Sequence, residues 1–142
     1  MWNTTNLSVK LFKPELSHRA KPLILAIDDD ISIRMLLQKI LGAFYTVEAT
    51  PDVVGAFAWL ADGNMPDLII CDVNLPGMGG IEFLANMRRS GLYRNVPVIM
   101  LSGMPQEEAA KASVAQGANA YFEKPFDPVS LLATVSQYFA VK

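Results

Sequence analysis

The sequence predicts a doubly wound α/β domain, in which a parallel sheet of five strands is covered by helices on both faces. Two observations lead to this prediction. Short continuous apolar runs, such as residues 23–27, have the length and composition of strands buried on both sides. Between these runs, apolar residues such as Ile33, Leu37 and Ile40 recur at helical spacing. Strands that alternate with helices form βαβ units, whose right-handed crossovers place helices on both faces of the sheet.

The elements follow one another from residue 23 onwards. The first strand covers residues 23–27, and the helix after it is expected to stop at Gly42, because glycine commonly follows the end of a helix. The other strands are predicted at residues 45–49, 68–71, 96–101 and 120–123, and the other helices at residues 52–61, 81–89, 106–116 and 127–139. In the last helix, the apolar residues predicted to share one side are Val129, Leu132, Val135 and Phe139.

Composition limits the classes of protein to which the chain can belong. Its 142 residues, 51% of them hydrophobic, suffice for one domain with a sizeable core. No apolar run approaches the roughly 18 residues of a membrane helix, and residues 1–16 lack the pattern of a secretory signal. The net charge of −2 and the scattered basic residues argue against a nucleic-acid surface.

Cysteine and histidine are too scarce for several kinds of site. Cys71 is the only cysteine and His18 the only histidine, which argues against an intramolecular disulfide, a CxxC or histidine-based metal site and a Ser-His-Asp triad. Any chemistry is therefore expected from carboxylates, hydroxyls and lysines. A single thiol is compatible with the reducing cytoplasm, where we expect the protein to be located.

Residues 1–20 are predicted to form an N-terminal extension, and residues 21–142 the domain itself. The extension has no clear periodicity, and Pro14 and Pro22 bracket a polar stretch that leads into the first strand. The sequence stops shortly after Phe139, so we expect no output domain on this chain.

Polar residues follow the predicted strands at the edge where ligands bind in open α/β sheets. These residues are Asp28, Asp29 and Asp30 after the first strand, Asp72 after the third, Ser102 after the fourth and Lys124 after the fifth. Adjacent carboxylates repel each other unless a cation holds them, and carboxylate oxygens suit Mg²⁺. A lysine and a hydroxyl can each bind a phosphoryl oxygen. The set predicts a phosphoryl site in which a carboxylate is the nucleophile.

Each candidate has a simpler interpretation when it is taken alone. Asp30 can cap the following helix, Ser102 with Gly103 is a turn signal, and an isolated Lys124 is most often a surface lysine. These interpretations do not explain why acids, a hydroxyl and a lysine all follow strands, at four strand ends. Cys71 lies on a buried strand, where we expect it to pack rather than react.

Four segments of the chain resemble the receiver domains of two-component response regulators. They are residues 25–30 (LAIDDD), 67–78 (DLIICDVNLPGM), 97–102 (PVIMLS) and 121–126 (YFEKPF), in the family's order and at similar spacing. The resemblance runs from about residue 22 to residue 141. Within the family, the chain is similar to the single-domain chemotaxis regulators. It implies a flavodoxin-like (βα)5 fold with strand order 2-1-3-4-5.

The resemblance implies a phosphoacceptor and a set of Mg²⁺ ligands. Asp72 corresponds to the aspartate that accepts the phosphoryl group and also contacts the metal. Asp29 corresponds to the acid that binds Mg²⁺ directly, and Asp28 to the acid that usually reaches it through water. Asn74 lies two residues past the acceptor, where the family donates a backbone carbonyl to the metal.

The resemblance also implies a switch around the phosphoryl group. Ser102 corresponds to the hydroxyl that moves to bind this group, and Lys124 to the lysine that pairs with it. Tyr121 corresponds to the aromatic residue that turns inward when the hydroxyl moves. The bond between Lys124 and Pro125 corresponds to one that the family usually keeps cis, although cis bonds are rare before proline in general.

Two positions depart from the family's usual pattern. Gly79 stands where an aspartate is common, so we expect a looser loop after Asp72 or a different cap for the next helix. Met104 stands two residues after Ser102, where polar residues are frequent, and is expected to change the lifetime of the phosphoryl group. Neither departure removes a residue of the expected site.

The function implied is that of a signalling switch. The resemblance implies phosphorylation of Asp72 by a histidine kinase or a histidine phosphotransfer protein, with Mg²⁺ as cofactor. It also implies a downstream protein that binds the fourth helix, fifth strand and fifth helix of a monomer or weak dimer, with no nucleic-acid or membrane partner. The chain would be no enzyme in the usual sense, although it would catalyse its own phosphorylation and dephosphorylation.

Two other functions stay open at this point. One is an unphosphorylated adaptor that binds its partners constitutively, which the intact set of acids, hydroxyl and lysine disfavours. The other is a Mg²⁺-dependent phosphohydrolase on a similar scaffold. Against it, Asn74 occupies the position two residues after Asp72 where a general acid or base would be needed.

Overall fold

The structure of the chain is a computed structural model that describes residues 21–103 and 107–140. Its strands are β1 Leu23–Ile27, β2 Thr46–Thr50, β3 Leu68–Asp72, β4 Val98–Ser102 and β5 Ala120–Glu123, and its helices are α1 Ile31–Leu41, α2 Val53–Ala61, α3 Gly80–Arg89, α4 Glu107–Ala115 and α5 Pro128–Gln137. The strands form one parallel sheet in the order β2-β1-β3-β4-β5. The predicted doubly wound α/β fold and strand order are confirmed.

The central strands are buried because helices cover both faces of the sheet. Every residue of β3 and β4 is buried, whereas the edge strands β2 and β5 are partly exposed. Alternate residues of β1 belong to opposite faces: Leu25 and Ile27 pack with α2 and α3, and Ile24 and Ala26 pack with α1 and α5. Two hydrophobic clusters, one on each face, thus account for the unbroken apolar runs of the sequence.

Aspartates begin three of the helices. The side chains of Asp30, Asp52 and Asp127 accept hydrogen bonds from backbone N–H groups of the first turns of α1, α2 and α5, over 2.8, 2.8 and 3.3 Å. Such caps satisfy donors that a helix cannot satisfy itself. Asp30 therefore caps α1, which is the simpler role considered for it.

No helix in residues 21–103 and 107–140 is long and apolar enough to cross a membrane.

The prediction for the inner side of α5 is wrong in part. Val129 is 73% exposed, whereas Leu131 and Val135 are fully buried. Residues 131 and 135 are four apart and share a helix face, but Val129 lies about 200° away from Leu131 around the helix axis. Phe139 lies beyond the end of α5, where its ring contacts that of Tyr45 with centroids 5.1 Å apart.

Several element boundaries differ from the prediction by one or two residues. β2 begins at Thr46 rather than residue 45, and β4 begins at Val98 rather than residue 96. The N–H of Val96 instead donates to the carbonyl oxygen of Tyr93, which makes this residue part of the preceding turn. β3 extends one residue further than predicted, to Asp72. The predicted start of α4 at Gln106 lies outside the described residues, as does the N-terminal extension.

Candidate phosphoryl-acceptor and metal site

The carboxyl ends of the central strands bring the predicted site residues to one edge of the sheet. Asp28 follows β1 directly, Asp72 is the last residue of β3 and Ser102 is the last residue of β4. Neighbouring strands are in register up to this edge, with Asp72 opposite Leu101. Lys124 follows the last residue of β5, and its backbone N–H donates to the carbonyl oxygen of Ser102 over 2.7 Å.

The Lys124 ammonium lies between two buried carboxylates. Its Nζ atom is 2.7 Å from Oδ2 of Asp28 and 3.3 Å from Oδ2 of Asp72. Asp28 is fully buried and Asp72 is only 3% exposed, so ionised carboxylates here are costly unless a cation lies close by. The lysine supplies one positive charge for the two acids.

Backbone N–H groups hold the second oxygen of each buried carboxylate. Oδ1 of Asp28 accepts a hydrogen bond from the N–H of Asp30 over 2.9 Å, and Oδ1 of Asp72 accepts one from the N–H of Asn74 over 3.1 Å. These bonds fix the two carboxylates at the start of the loops that follow β1 and β3. The predicted metal contact of the Asn74 carbonyl stays a prediction.

Burial and charge move the pKa values of the acid and the lysine in the same direction. Burial raises the pKa of Asp72 first of all, and the Asp28 carboxylate raises it further, against the lowering effects of the Asn74 N–H and of Lys124. Burial lowers the pKa of Lys124, but the hydrogen bond to Asp28 and the charges of both acids raise it by more. Lys124 is therefore protonated, and any further cation that approaches Asp72 stabilises the ionised form of its carboxylate.

Three carboxylates converge closely enough to hold one metal ion. One oxygen from each of Asp28, Asp29 and Asp72 lies within 4.8 Å of the others, and only Asp29 is exposed. A donor set of carboxylate oxygens open to solvent on one side suits Mg²⁺, which binds few protein carboxylates and keeps several waters. Each oxygen that already accepts a hydrogen bond has a second lone pair. The residues present therefore fit this ion.

Of the expected switch residues, Ser102 lies at the sheet edge of the acids, and Tyr121 lies on the neighbouring strand β5. Ser102 is fully buried at the end of β4, and Tyr121 on β5 pairs in register with Met100. The Tyr121 ring packs against the hydrophobic cluster of α2 and α3, while its hydroxyl is buried and has no hydrogen-bond partner among the described residues. A buried hydroxyl without a partner is unfavourable, so packing of the ring, and no hydrogen bond among the described residues, holds this side chain in place. The bond between Lys124 and Pro125 is cis, as expected.

The loop after Asp72 differs from the aspartate-capped pattern as the sequence predicts. α3 begins after Gly79, which offers no side chain to cap it. The next residue, Gly80, has a role that was not predicted: a Cβ atom there would lie 1.9 Å from the backbone oxygen of Asp72. The pair of glycines was the available signal, because glycine is common where two backbones approach closely. Met104 lies outside the described residues.

Cys71 is part of the core beside the acceptor. It is fully buried, and burial together with the charges of Asp72 and Asp28 raises the pKa of its thiol far above the ordinary range. Such a thiol is a poor nucleophile. The position of Cys71 in the hydrophobic cluster of α2 and α3 confirms the packing predicted for it.

The fold and the acids, lysine and hydroxyl at this sheet edge define a receiver domain. The family model described as "Response regulator receiver domain" matches residues 24–136, and the chain belongs to this family.

The relatives differ in how much of their length this chain covers. An uncharacterized 14.6 kDa protein of Leptolyngbya boryana is 36% identical over 118 residues, which are 81% of this chain and 88% of the relative. The phosphate regulon transcriptional regulatory protein PhoB of Escherichia coli K12 is 36% identical over 114 residues, which are 79% of this chain but 49% of PhoB. The chain thus spans about half the length of PhoB.

Solved structures show the same architecture. The chemotaxis response regulator CheY4 of Vibrio cholerae superposes with a TM-score of 0.75 and 37% sequence identity, over 83% of this chain and 98% of CheY4. The likeness covers nearly all of that chain.

Proposed function

We propose that this receiver domain accepts a phosphoryl group on Asp72 from a phosphohistidine of a histidine kinase or a phosphotransfer protein. One observation carries the proposal: Asp28, Asp29 and Asp72 converge within 4.8 Å, and Lys124 contacts two of them. A site that only stabilised the fold would not need a third carboxylate beside the two that one ammonium contacts, because three converging carboxylates are costly without a further cation.

The chemistry needs an ionised carboxylate and a place for the charge of the phosphoryl group. A carboxylate oxygen of Asp72 forms the new P–O bond while the bond from phosphorus to the donor's histidine nitrogen breaks, and this nitrogen keeps the electron pair. Lys124 is close enough to Asp72 to pair with a phosphoryl oxygen once the group is attached. Mg²⁺, when held by Asp28, Asp29, Asp72 and the Asn74 carbonyl, would neutralise charge on the phosphoryl oxygens.

The phosphoryl group would then act on the neighbouring switch residues. The Ser102 hydroxyl binds one of its oxygens, and Tyr121 follows into the space that the hydroxyl leaves. The buried, unpartnered hydroxyl of Tyr121 supports this role, because no hydrogen bond among the described residues has to break. The surface formed by α4, β5 and α5 changes its population of conformations and with it the affinity for a downstream protein. We place this exchange in the cytoplasm, on a monomer or weak dimer.

The test is phosphorylation of the full chain. Wild type incubated with acetyl phosphate and MgCl₂ should gain the mass of one phosphoryl group, and Asp72→Asn should gain none. Asp62→Asn is the matched control, since Asp62 is an exposed residue at the far end of α2. Removal of Mg²⁺ with EDTA should suppress labelling of the wild type.

Each rival function predicts a different outcome of the same experiment. Labelling of Asp72→Asn as strong as that of the wild type would disprove the acceptor assignment. No labelling by acetyl phosphate or by any phosphorylated histidine kinase would identify an adaptor. Release of phosphate from phosphate esters well beyond one equivalent per chain would identify a hydrolase.

A further inference from the structure

An apolar groove lies between the end of α1 and the outer side of α5, away from the acidic site. Its volume is about 350 Å³. The residues that line it are Phe44, Tyr45, Val129, Leu132, Ala133 and Ser136. Phe44 is 55% exposed and Val129 is 73% exposed, so two large apolar side chains at the groove face solvent in the described part of the chain. Apolar surface of this kind commonly marks a binding site.

Pro22, just after the N-terminal extension in the chain, lies beside one end of this groove. The carbonyl oxygen of Pro22 accepts a hydrogen bond from the N–H of Thr46 over 2.9 Å, and Leu23 is the register partner of Thr46. Phe44 and Tyr45 immediately precede Thr46 in the chain. The polypeptide that arrives from residues 1–20 therefore reaches the domain next to one end of the groove.

The composition and length of the extension suit the groove. Residues 7–12 (LSVKLF) combine four apolar side chains with one lysine, and Lys13 follows. From residue 12 to residue 21 an extended chain reaches up to about 30 Å, whereas the stretch of α5 that lines the groove is about 10 Å long. α1 ends at Leu41, shortly before Phe44, and α5 ends at Gln137, next to Ser136. The partial negative charge of these helix C-termini favours nearby lysines such as those of the extension.

We propose that residues 7–12 of the extension dock in the groove between α1 and α5 of the same chain. Attachment at Pro22 gives the segment a high effective concentration, so that weak apolar contacts suffice for binding. A separate partner or a second copy of the chain lacks this advantage. The docked segment covers the side of α5 that lines the groove, and any protein that binds this side has to displace it.

The experiment measures the distance of the extension from the groove in the full chain. A nitroxide label is attached to Ser8→Cys; Cys71 is fully buried and does not compete for the label. The amide signals of Leu132, Ala133 and Ser136 are expected to lose most of their intensity relative to the reduced label. The signal of Val54, on α2 at the opposite face of the sheet, should keep its intensity.

Paired variants separate docking from chance proximity. The double change Leu11→Asp and Phe12→Asp in the extension, and Val129→Asp in the groove, should each restore the signals of α5. Thr5→Asp and Val54→Asp are the matched controls, which add the same charge outside residues 7–12 and outside the groove. All the substituted residues of the domain are exposed, so the fold should tolerate the changes.

Three results would overturn the proposal. The first is full intensity of the α5 signals in the labelled wild type. The second is signal loss that persists in both Asp variants, since apolar contacts would then play no part. The third is comparable signal loss in a mixture in which the spin-labelled chains and the isotope-labelled chains are different molecules, which would make a second copy the occupant.

Discussion

Lys124 couples the proposed acceptor to the acid on the neighbouring strand. Its ammonium contacts Asp72 and Asp28, and its side chain is only 16% exposed. Part of its charge therefore acts in a medium that screens less than water does. The atom that stabilises the buried acids is therefore the same atom for which phosphoryl binding is proposed.

Replacement of this ammonium tests both contributions. Lys124→Met is expected to lower the free energy of unfolding by about 1–3 kcal/mol without divalent ions, because it leaves two carboxylates buried without their cation. The effect stays below that of a fully enclosed pair since solvent reaches the lysine. Urea unfolding measures the change.

The matched control for this variant is Lys111→Met. Lys111 is 75% exposed in its side chain, and its pair with Glu107 within one helix contributes only a few tenths of a kcal/mol. If the two variants lose the same stability, Lys124 does not stabilise the buried acids.

At the scale of elements, Arg88 fastens the end of α3 to two loops. Its guanidinium donates hydrogen bonds to the carbonyl oxygens of Arg94, Val96 and Gly117 over 3.2, 2.8 and 3.0 Å. It also donates to Oδ1 of Asn119 over 2.9 Å. The loop between α3 and β4 and the loop between α4 and β5 are thereby tied to one side chain.

Removal of this guanidinium should loosen both loops. Arg88→Met is expected to destabilise the chain by about 1–3 kcal/mol, because several backbone acceptors lose a charged donor at once. Hydrogen exchange of the amides at residues 117–119 should accelerate as well. Urea unfolding and exchange measured by mass spectrometry test the two effects.

The neighbouring arginine provides the comparison. Among the described residues Arg89 hydrogen-bonds the side chain of Asn86 within its own helix, so Arg89→Met should leave the exchange of residues 117–119 unchanged. Equal acceleration in both variants would show that Arg88 does not hold the loops.

Helices and strands were predictable from the sequence where the local residue pattern determines them. Features that depend on contacts between distant residues were not predictable. The run of residues 23–27 identified β1 because burial on two faces demands it. Val129 was misplaced because the pattern 129, 132, 135 mixes two faces of α5. Nothing local marks Arg88, since its acceptors, three backbone carbonyls and the Asn119 side chain, lie up to 31 residues away.

The site was predictable for a similar reason. A parallel sheet brings the residues after its strands to one edge, so that Asp28, Asp72 and Lys124 meet whatever their separation in the chain. The sequence does not show that one ammonium contacts both acids, because this depends on side-chain conformation. It also does not show that Gly80 must lack a side chain, because the backbone it approaches belongs to β3.

At the scale of the whole molecule, metal binding and folding should be linked. An ion that binds only the folded chain stabilises it, by about 1.4 kcal/mol at ten times its dissociation constant. MgCl₂ is therefore expected to raise the free energy of unfolding of the wild type above its value in NaCl of equal ionic strength. Asp29→Asn should lose most of this gain; Asp29 is exposed, so the fold does not depend on it.

Asp62→Asn serves as the reference for the ion effect. It removes an exposed carboxylate outside the cluster of acids and should retain the full gain. The same gain in Asp29→Asn and Asp62→Asn would place the ion elsewhere on the molecule.

The position of Lys124 has a consequence for the order of events at the site. Its ammonium contacts Oδ2 of Asp28 and Oδ2 of Asp72. It would therefore compete with a divalent ion for the same two atoms. We expect this competition to weaken the affinity for the ion. A phosphoryl group on Asp72 would draw the ammonium towards itself and end the competition, so phosphorylation and metal binding should strengthen each other.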